Sequence, residues 1–258
     1  MRIISSSLFF GLLACILMGV SGMDAAPRVK SAWDIGKLEE SREAGPADTF
    51  AQDARLFTKA IAFSVMQGQN RVKLPGPFRP YVQAGFHLFQ VDAEILKAYT
   101  VDGTTSLFSR SLFAKAGIGL PFGLNVEGAM SQVISENSST AVNLTIAGQT
   151  LDFANLVYVD LVPCVSTSAT ITRTIGGPAL WNFSGQAVLG AYHRLTLAQV
   201  GYILQYNYAV LRSLTPSISN TFFRHGVMMS MPIFKGLFAQ TEVFYPSMSA
   251  TMSAGVQF

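Results

Sequence analysis

The stretch LWNFSGQAVLGAYHRLTLAQVGYILQYNYAVL, residues 180–211, holds two runs in which apolar and polar residues take turns. In an extended chain Trp181, Phe183, Ala187, Leu189 and Ala191 face away from Asn182, Ser184, Gln186 and Gly190. Ala198, Val200, Tyr202, Leu204, Tyr206, Tyr208 and Val210 stand in the same way against Gln199, Gly201, Gln205 and Asn207. A period of two kept over such a length is the pattern of a strand with one apolar and one polar face. The faces of the two runs match only across an even connection, 194–197. That register sets Gly185 opposite Tyr206, Ser184 opposite Asn207 and Gln186 opposite Gln205, with an aromatic ring placed to cover a glycine.

The same alternation recurs outward from this stretch. Phe108, Leu112, Ala114, Ala116, Ile118 and Leu120 form one apolar row, and Leu124, Val126, Gly128 and Met130 form the next. Pro121-Phe122-Gly123 joins them as a three-residue turn with a positive φ at its last position, and Gly236 repeats the arrangement after Phe234. Ten strands follow, near 81–95, 106–120, 123–133, 152–162, 164–174, 180–193, 198–211, 222–233, 237–245 and 249–258. Longer connections fall near 96–105, 134–150, 175–179 and 212–221. Eight or twelve strands stay open, the latter if 56–72 supply two.

What fills the second face decides the solvent. A sheet surface in water carries many Lys, Glu and Arg, whereas here it is mostly Gly, Ser, Thr, Asn and Gln. Only 13% of the chain is charged, against about 25% in soluble domains. The expected fold is therefore an all-β, antiparallel transmembrane β-barrel of about ten strands, with apolar rows outside and polar rows in a crowded lumen.

Residues 27–77 hold 14 charged side chains in 51 positions and residues 78–258 hold 17 in 181. The change falls at Leu74-Pro75-Gly76-Pro77. Before it, Phe50, Ala54, Phe57, Ile61 and Val65 recur at helical spacing behind the capping box Thr49–Gln52, Gly68 is a plausible stop, and a weaker helix spans 31–44. The division is a signal peptide over 1–22, a short helical segment over 23–77 and the barrel over 78–258. The helical zone reads as a periplasmic lead-in, with a plug inside the barrel as the alternative; ten strands leave little interior space for a helix, which favours the lead-in. Arg2, the apolar run 8–20 and the small Ser21 and Gly22 have the order of a secretory signal. Leu12-Leu13-Ala14-Cys15 offers lipidation at Cys15 as an alternative. Removal after Gly22 leaves Cys164 as the only thiol, so no intramolecular disulfide forms.

The final segment Met248, Ala250, Met252, Ala254, Val256, Phe258 is apolar at every second position and ends on an aromatic residue. It resembles the C-terminal assembly signal of bacterial outer-membrane β-barrel proteins. The resemblance implies a Gram-negative outer membrane, surrounding lipid, and insertion by the outer-membrane assembly machinery with Phe258, Val256 and Met252 as the recognised end. It reaches the superfamily and no particular family.

A three-residue turn at 121–123 makes Lys115 and Glu127 diagonal neighbours on the lumen face, an expected interior ion pair that Arg224, Glu242 or Asp160 could join. The structural reading is that a narrow interior cannot leave charges unpaired; the functional one is a constriction that selects solutes by charge. His87, Gln186, Gln205 and Asn207 complete the expected lumen set. His87 lacks a nearby nucleophile or acid in sequence and reads as an interior hydrogen-bonding residue rather than a base. No Asp-x-His or Asp-x-Asp stands at a strand top as in an omptin-like hydrolase, and the acid pair Asp92 and Glu94 reads as solvated. Trp181, Tyr206, Tyr208, Tyr245 and Phe258 read as interfacial girdles. Met228, Met229 and Met231 follow the strand period and read as lipid-facing or gap-filling. Arg110, His225 and Asn155 are departures on the outer row. No metal site, cofactor, phosphate loop or nucleic-acid patch is expected. The function expected is a narrow channel or transporter for small or amphipathic solutes. Its alternatives are a non-conducting structural or surface-interaction barrel and, behind both, an outer-membrane hydrolase.

Overall fold

The computed structural model describes residues 35–44, 47–65, 71, 73–90, 108–133, 140–152, 160–175, 178–214, 217–234, 236–246 and 248–258. The signal segment, Cys15, the acid pair Asp92 and Glu94, Asn155 and the Arg110 side chain lie outside what is described.

Among the described residues two α-helices, α1 (Ile35–Ala44) and α2 (Ala47–Val65), precede ten strands. The strands are β1 (Pro80–Gln90), β2 (Phe108–Gly119), β3 (Leu124–Val133), β4 (Thr140–Asp152), β5 (Leu161–Ile175), β6 (Leu180–His193), β7 (Gln199–Leu211), β8 (Ile218–Phe234), β9 (Leu237–Tyr245) and β10 (Ser249–Gln257). Each pairs antiparallel with its sequence neighbours, and β1 pairs with β10, so the sheet closes and no edge is left.

Side-chain period and closure together sort the residues. Along β7 Tyr206 is 55% exposed while Asn207 beside it is fully buried. On β6 Phe183 and Leu189 point out, and Asn182, Ser184 and Gln186 point in. The expected β6–β7 register is the one found, including Gly185 opposite Tyr206, Ser184 opposite Asn207 and Gln186 opposite Gln205. The covering ring is not: a Cβ built on Gly185 would meet nothing within 4 Å. Tyr206 is on the same outer face, but its ring leaves Gly185 uncovered.

The expected fourth strand, at 152–162, is misplaced, since β4 covers Thr140–Asp152. Val142, Leu144 and Ile146 form its outer row, but the inner row of Ala141, Asn143, Thr145 and Ala147 is half apolar. The contrast between faces that revealed the other strands is weak there. The connection 134–150 accordingly shrinks to 134–139, and 153–160 becomes the longest link at the opposite end. β8 also starts earlier than expected, at Ile218.

We call the end that carries connection 91–107 upper and the end that carries turn 121–123 lower. At the lower end Gly123 (φ 70°) and Gly236 (φ 82°) adopt the left-handed conformation expected of them. Phe122 does so as well, at φ 64°, a strained choice for an aromatic residue. α2 begins at Ala47, so Thr49 lies within the first turn rather than capping it.

α2 does not stand clear of the barrel. Its apolar face, Ala54, Phe57, Ile61 and Phe63, forms one buried cluster with inward residues of the upper end: Phe89, Val133, Ala141, Leu180, Leu211 and Phe222. Those residues come from six different strands, so the helix sits in the barrel mouth. Room for it exists because small residues such as Ala141 and Ala209 line that level.

Candidate functional site

Below the helix, Arg71 and Lys73 stand inside the sheet. The Arg71 carbonyl accepts from Ser166 Oγ on β5, while its guanidinium carbon lies 4.3 Å from the Tyr81 ring centre on β1 and 4.2 Å from that of Phe238 on β9. Lys73 Nζ lies 3.9 Å from the Tyr192 ring centre on β6, and its main-chain N–H donates to Gln199 Oε1 on β7 at 3.1 Å. Phe78 N–H donates to the Gly119 carbonyl at 2.8 Å, and the chain enters β1 at the lower end. A segment anchored on β1, β5, β6, β7 and β9 can only be inside the ring of strands. Arg71 and Lys73 thus lie in the bore between α2 at its mouth and the lower rim, where Phe78 meets β2.

The strand period places the expected charge pair. Gly117 is opposite Glu127 and Ala129 is opposite Lys115, which leaves the two charged residues diagonal on the inner face. Lys115 Nζ is 3.5 Å from Glu127 Oε2, and both side chains are buried. Tyr81 donates its hydroxyl hydrogen to the same Glu127 oxygen, and Asn125 Nδ2 donates to Tyr81 Oη at 3.1 Å. Gly117 makes this possible, because a Cβ there would lie 2.5 Å from the Tyr81 oxygen. Glu127 therefore collects Lys115 and Tyr81 directly and acts electrostatically on Arg71.

A second polar group lies toward the helix. Arg224 Nε donates to Gln205 Oε1, and its guanidinium carbon sits 3.9 Å from the Phe244 ring centre and 5.7 Å from that of Phe63. Gln240 Nε2 donates to Glu242 Oε1 at 2.6 Å. His87 Nδ1 is 2.8 Å from Thr251 Oγ1, with its ring stacked 5.6 Å from Phe89. Asn182 Nδ2 donates to Asn207 Oδ1 at 3.5 Å. Fully buried cations and acids need such partners, because an unpaired one costs several kcal/mol.

The expected lumen residues Lys115, Glu127, His87, Gln186, Gln205, Asn207, Arg224 and Glu242 all point inward and are buried. Arg224 and Glu242 belong to the second group, bonded to Gln205 and Gln240. Asp160 is a correction: it precedes β5 in the lower connection, exposed, with φ 60° and its carbonyl accepting from Arg194 N–H. With β4 ending at Asp152, Asp160 is no strand residue and has no inner face. Of the assembly-signal residues, Met252 and Phe258 are exposed on the outside and Val256 is half-buried. The methionine group splits, since Met228 is buried inside while Met229 and Met231 point out. His225 is on the outer face, its Nδ1 2.8 Å from Tyr202 Oη and its ring 5.5 Å from that of Tyr245.

Sequence reasoning missed Tyr81, Arg71 and Lys73. Tyr81 shares parity with Gln83 and His87 and could have been placed inside by that alone. The two cations had a weaker signal, lying just before the composition change in a zone read as external.

No family model matches the chain, and no curated protein is similar to it in sequence. Solved structures similar to the chain include three outer-membrane proteins. An outer-membrane channel from Pseudomonas putida F1 is 7% identical with a TM-score of 0.44, covering 75% of this chain and all of its own. The KdgM porin is 10% identical with a TM-score of 0.34, over 69% of this chain and 99% of its own. The attachment invasion locus protein Ail of Yersinia pestis is 10% identical with a TM-score of 0.27, over 70% and 99%. Likeness at this level concerns strand arrangement and carries nothing about a ligand or a partner.

Proposed function

We propose that the chain is an outer-membrane β-barrel whose bore is closed by its own N-terminal segment, and that it works as a non-conducting barrel presenting its upper end for interaction. One observation supports the membrane part most strongly: polarity is inverted with respect to a soluble protein. Leu112, Leu144, Ile146, Ile171, Phe183, Leu189, Val200, Tyr206, Phe223, Val227, Met229, Val243 and Met252 are all between 42% and 57% exposed on the outer face, while Lys115, Glu127, Arg224 and Glu242 are at most 5% exposed inside. Contiguous apolar surface on a monomer in water rarely exceeds a few hundred Å², and a belt around ten strands far exceeds that. Acyl chains remove the penalty.

The closed bore supports the second part. In a water-filled pore the inner polar side chains touch solvent, whereas here an N-terminal helix and two stacked cations stand where the solvent would run. A channel for small or amphipathic solutes is the second reading. It is favoured by one observation, the inward Gln205 Nε2, Asn207 Nδ2, Arg224 Nη1 and Ser111 Oγ, which find no hydrogen-bond partner among the described residues and would suit a polar path once the segment moved. The test is conductance of the purified full chain in planar bilayers. A silent membrane at voltages that leave the lipid intact is expected; steady, reproducible steps would replace the closed barrel with the channel. An outer-membrane location is tested by fractionation followed by a heat-modifiable gel shift.

A further inference from the structure

At the upper mouth, α2 and the start of β8 line an open cavity of about 590 Å³. Leu56 from the helix and the buried ring of Phe222 from the strand make its apolar side. Gln52, Arg55 and Lys59 line the helix side, and Asn220 faces them from β8. Arg55 and Lys59 are one helical turn apart, so both leave the same face with Cβ atoms about 5–6 Å from each other. Asn220 Nδ2 donates to the Arg55 carbonyl at 2.9 Å, which ties the helix to the strand at this point. Lys59 Nζ lies 5.5 Å from the Phe63 ring centre, which restricts where the ammonium can stand.

Among the described residues that line the cavity there is no carboxylate. Two cations held side by side repel one another, and an anion between them relieves that repulsion. The volume suits a small organic molecule, since such sites run from about 300 to 1,000 Å³. Arg takes a carboxylate or phosphate through two parallel N–H bonds, and Lys takes one as a compact charge. We propose that this mouth cavity binds a small organic dianion, with one acidic group on Arg55, the other on Lys59, and an apolar frame against Phe222. The site extends the surface-interaction reading above by a ligand class, but its geometry does not depend on whether the bore conducts.

The test is calorimetric titration of the full chain in a zwitterionic detergent with terephthalate, whose two carboxylates sit on opposite ends of a flat ring. Benzoate and inorganic phosphate serve as comparisons, and Arg55→Gln, Lys59→Gln and, at the lower end, Arg194→Gln as variants. Both mouth substitutions preserve the Arg55 carbonyl that holds Asn220. The expected result is saturable 1:1 binding of terephthalate, at least tenfold tighter than benzoate and phosphate, weakened about tenfold or more by each mouth substitution and unchanged by Arg194→Gln. A flat titration, equal affinity for benzoate, or equal affinity in all three variants overturns the proposal. Each sample is also run as a heat-modifiable band. A folded band without binding removes the dianion site alone, whereas terephthalate binding without the band removes the membrane-barrel reading and keeps the site.

Discussion

Glu127→Gln removes one unit of charge from the lower lumen while keeping the shape of the side chain. Glu127 Oε2 is 3.5 Å from Lys115 Nζ and also accepts the Tyr81 hydroxyl. At an effective dielectric constant of about 20, a charge pair at that distance is worth about 5 kcal/mol gross. Relief of Glu127 desolvation offsets part of this, but the change removes the carboxylate that meets the buried Lys115 and acts on the buried Arg71. Breaking a buried pair on one side typically costs about 3–5 kcal/mol, and the loss expected for Glu127→Gln lies in that range. Lys115→Met should cost less, about 1–3 kcal/mol, because Arg71 and Tyr81 still face the carboxylate. The double variant should recover part of the loss, with a coupling energy of about 2 kcal/mol. Urea titration in lipid vesicles, followed by the fraction of heat-modifiable folded band, measures all three variants. Additive single effects, or a Glu127→Gln variant within about 0.5 kcal/mol of the parent protein, would refute the reasoning.

Gly117→Ala drives a methyl group into the Tyr81 ring and hydroxyl; a stability loss of about 1–3 kcal/mol in the same titration is expected, with a smaller further effect of Glu127→Gln on that background. Gly185→Ala meets open space, and the folded fraction should match or exceed that of the parent. Phe57 is fully buried in the mouth cluster, so Phe57→Ala should weaken helix docking by about 3–5 kcal/mol. Because the ten strands close on one another without the helix as a member, limited proteolysis should cut the helix faster while the folded band persists; equal cutting rates would mean that the helix is held by something other than this cluster.

How much of this was readable in the residues depends on how sharply each strand contrasts its two faces. β6 and β7 alternate aromatic or branched residues with Asn, Gln, Ser and Gly, and their register followed to the residue. β4 does not, since Ala141 and Ala147 sit inside where Asn and Thr are the rule, and the apolar run after it drew the strand too far along. The Lys115–Glu127 diagonal needed only the length of the turn between them, a local quantity. Arg71 is different in kind: its partners Tyr81, Ser166 and Phe238 lie on three strands that meet only through closure of the sheet. No local pattern encodes such a meeting. The position of α2 has the same character, because its helical period shows an apolar stripe but not which surface covers it.

Spin-label accessibility tests most directly whether the greasy rows of the barrel touch acyl chains while the hydrophilic rows are enclosed. In a background carrying Cys15→Ser and Cys164→Ser, nitroxides at Tyr206→Cys, Val227→Cys and Asn207→Cys in lipid vesicles would be exposed in turn to oxygen, which partitions into hydrocarbon, and to a water-soluble nickel chelate. The labels at 206 and 227 should relax faster with oxygen than with nickel, and the label at 207 should respond weakly to both. A label at 206 or 227 that responds to nickel over oxygen, or one at 207 that responds to oxygen like its neighbour, would contradict the inverted barrel.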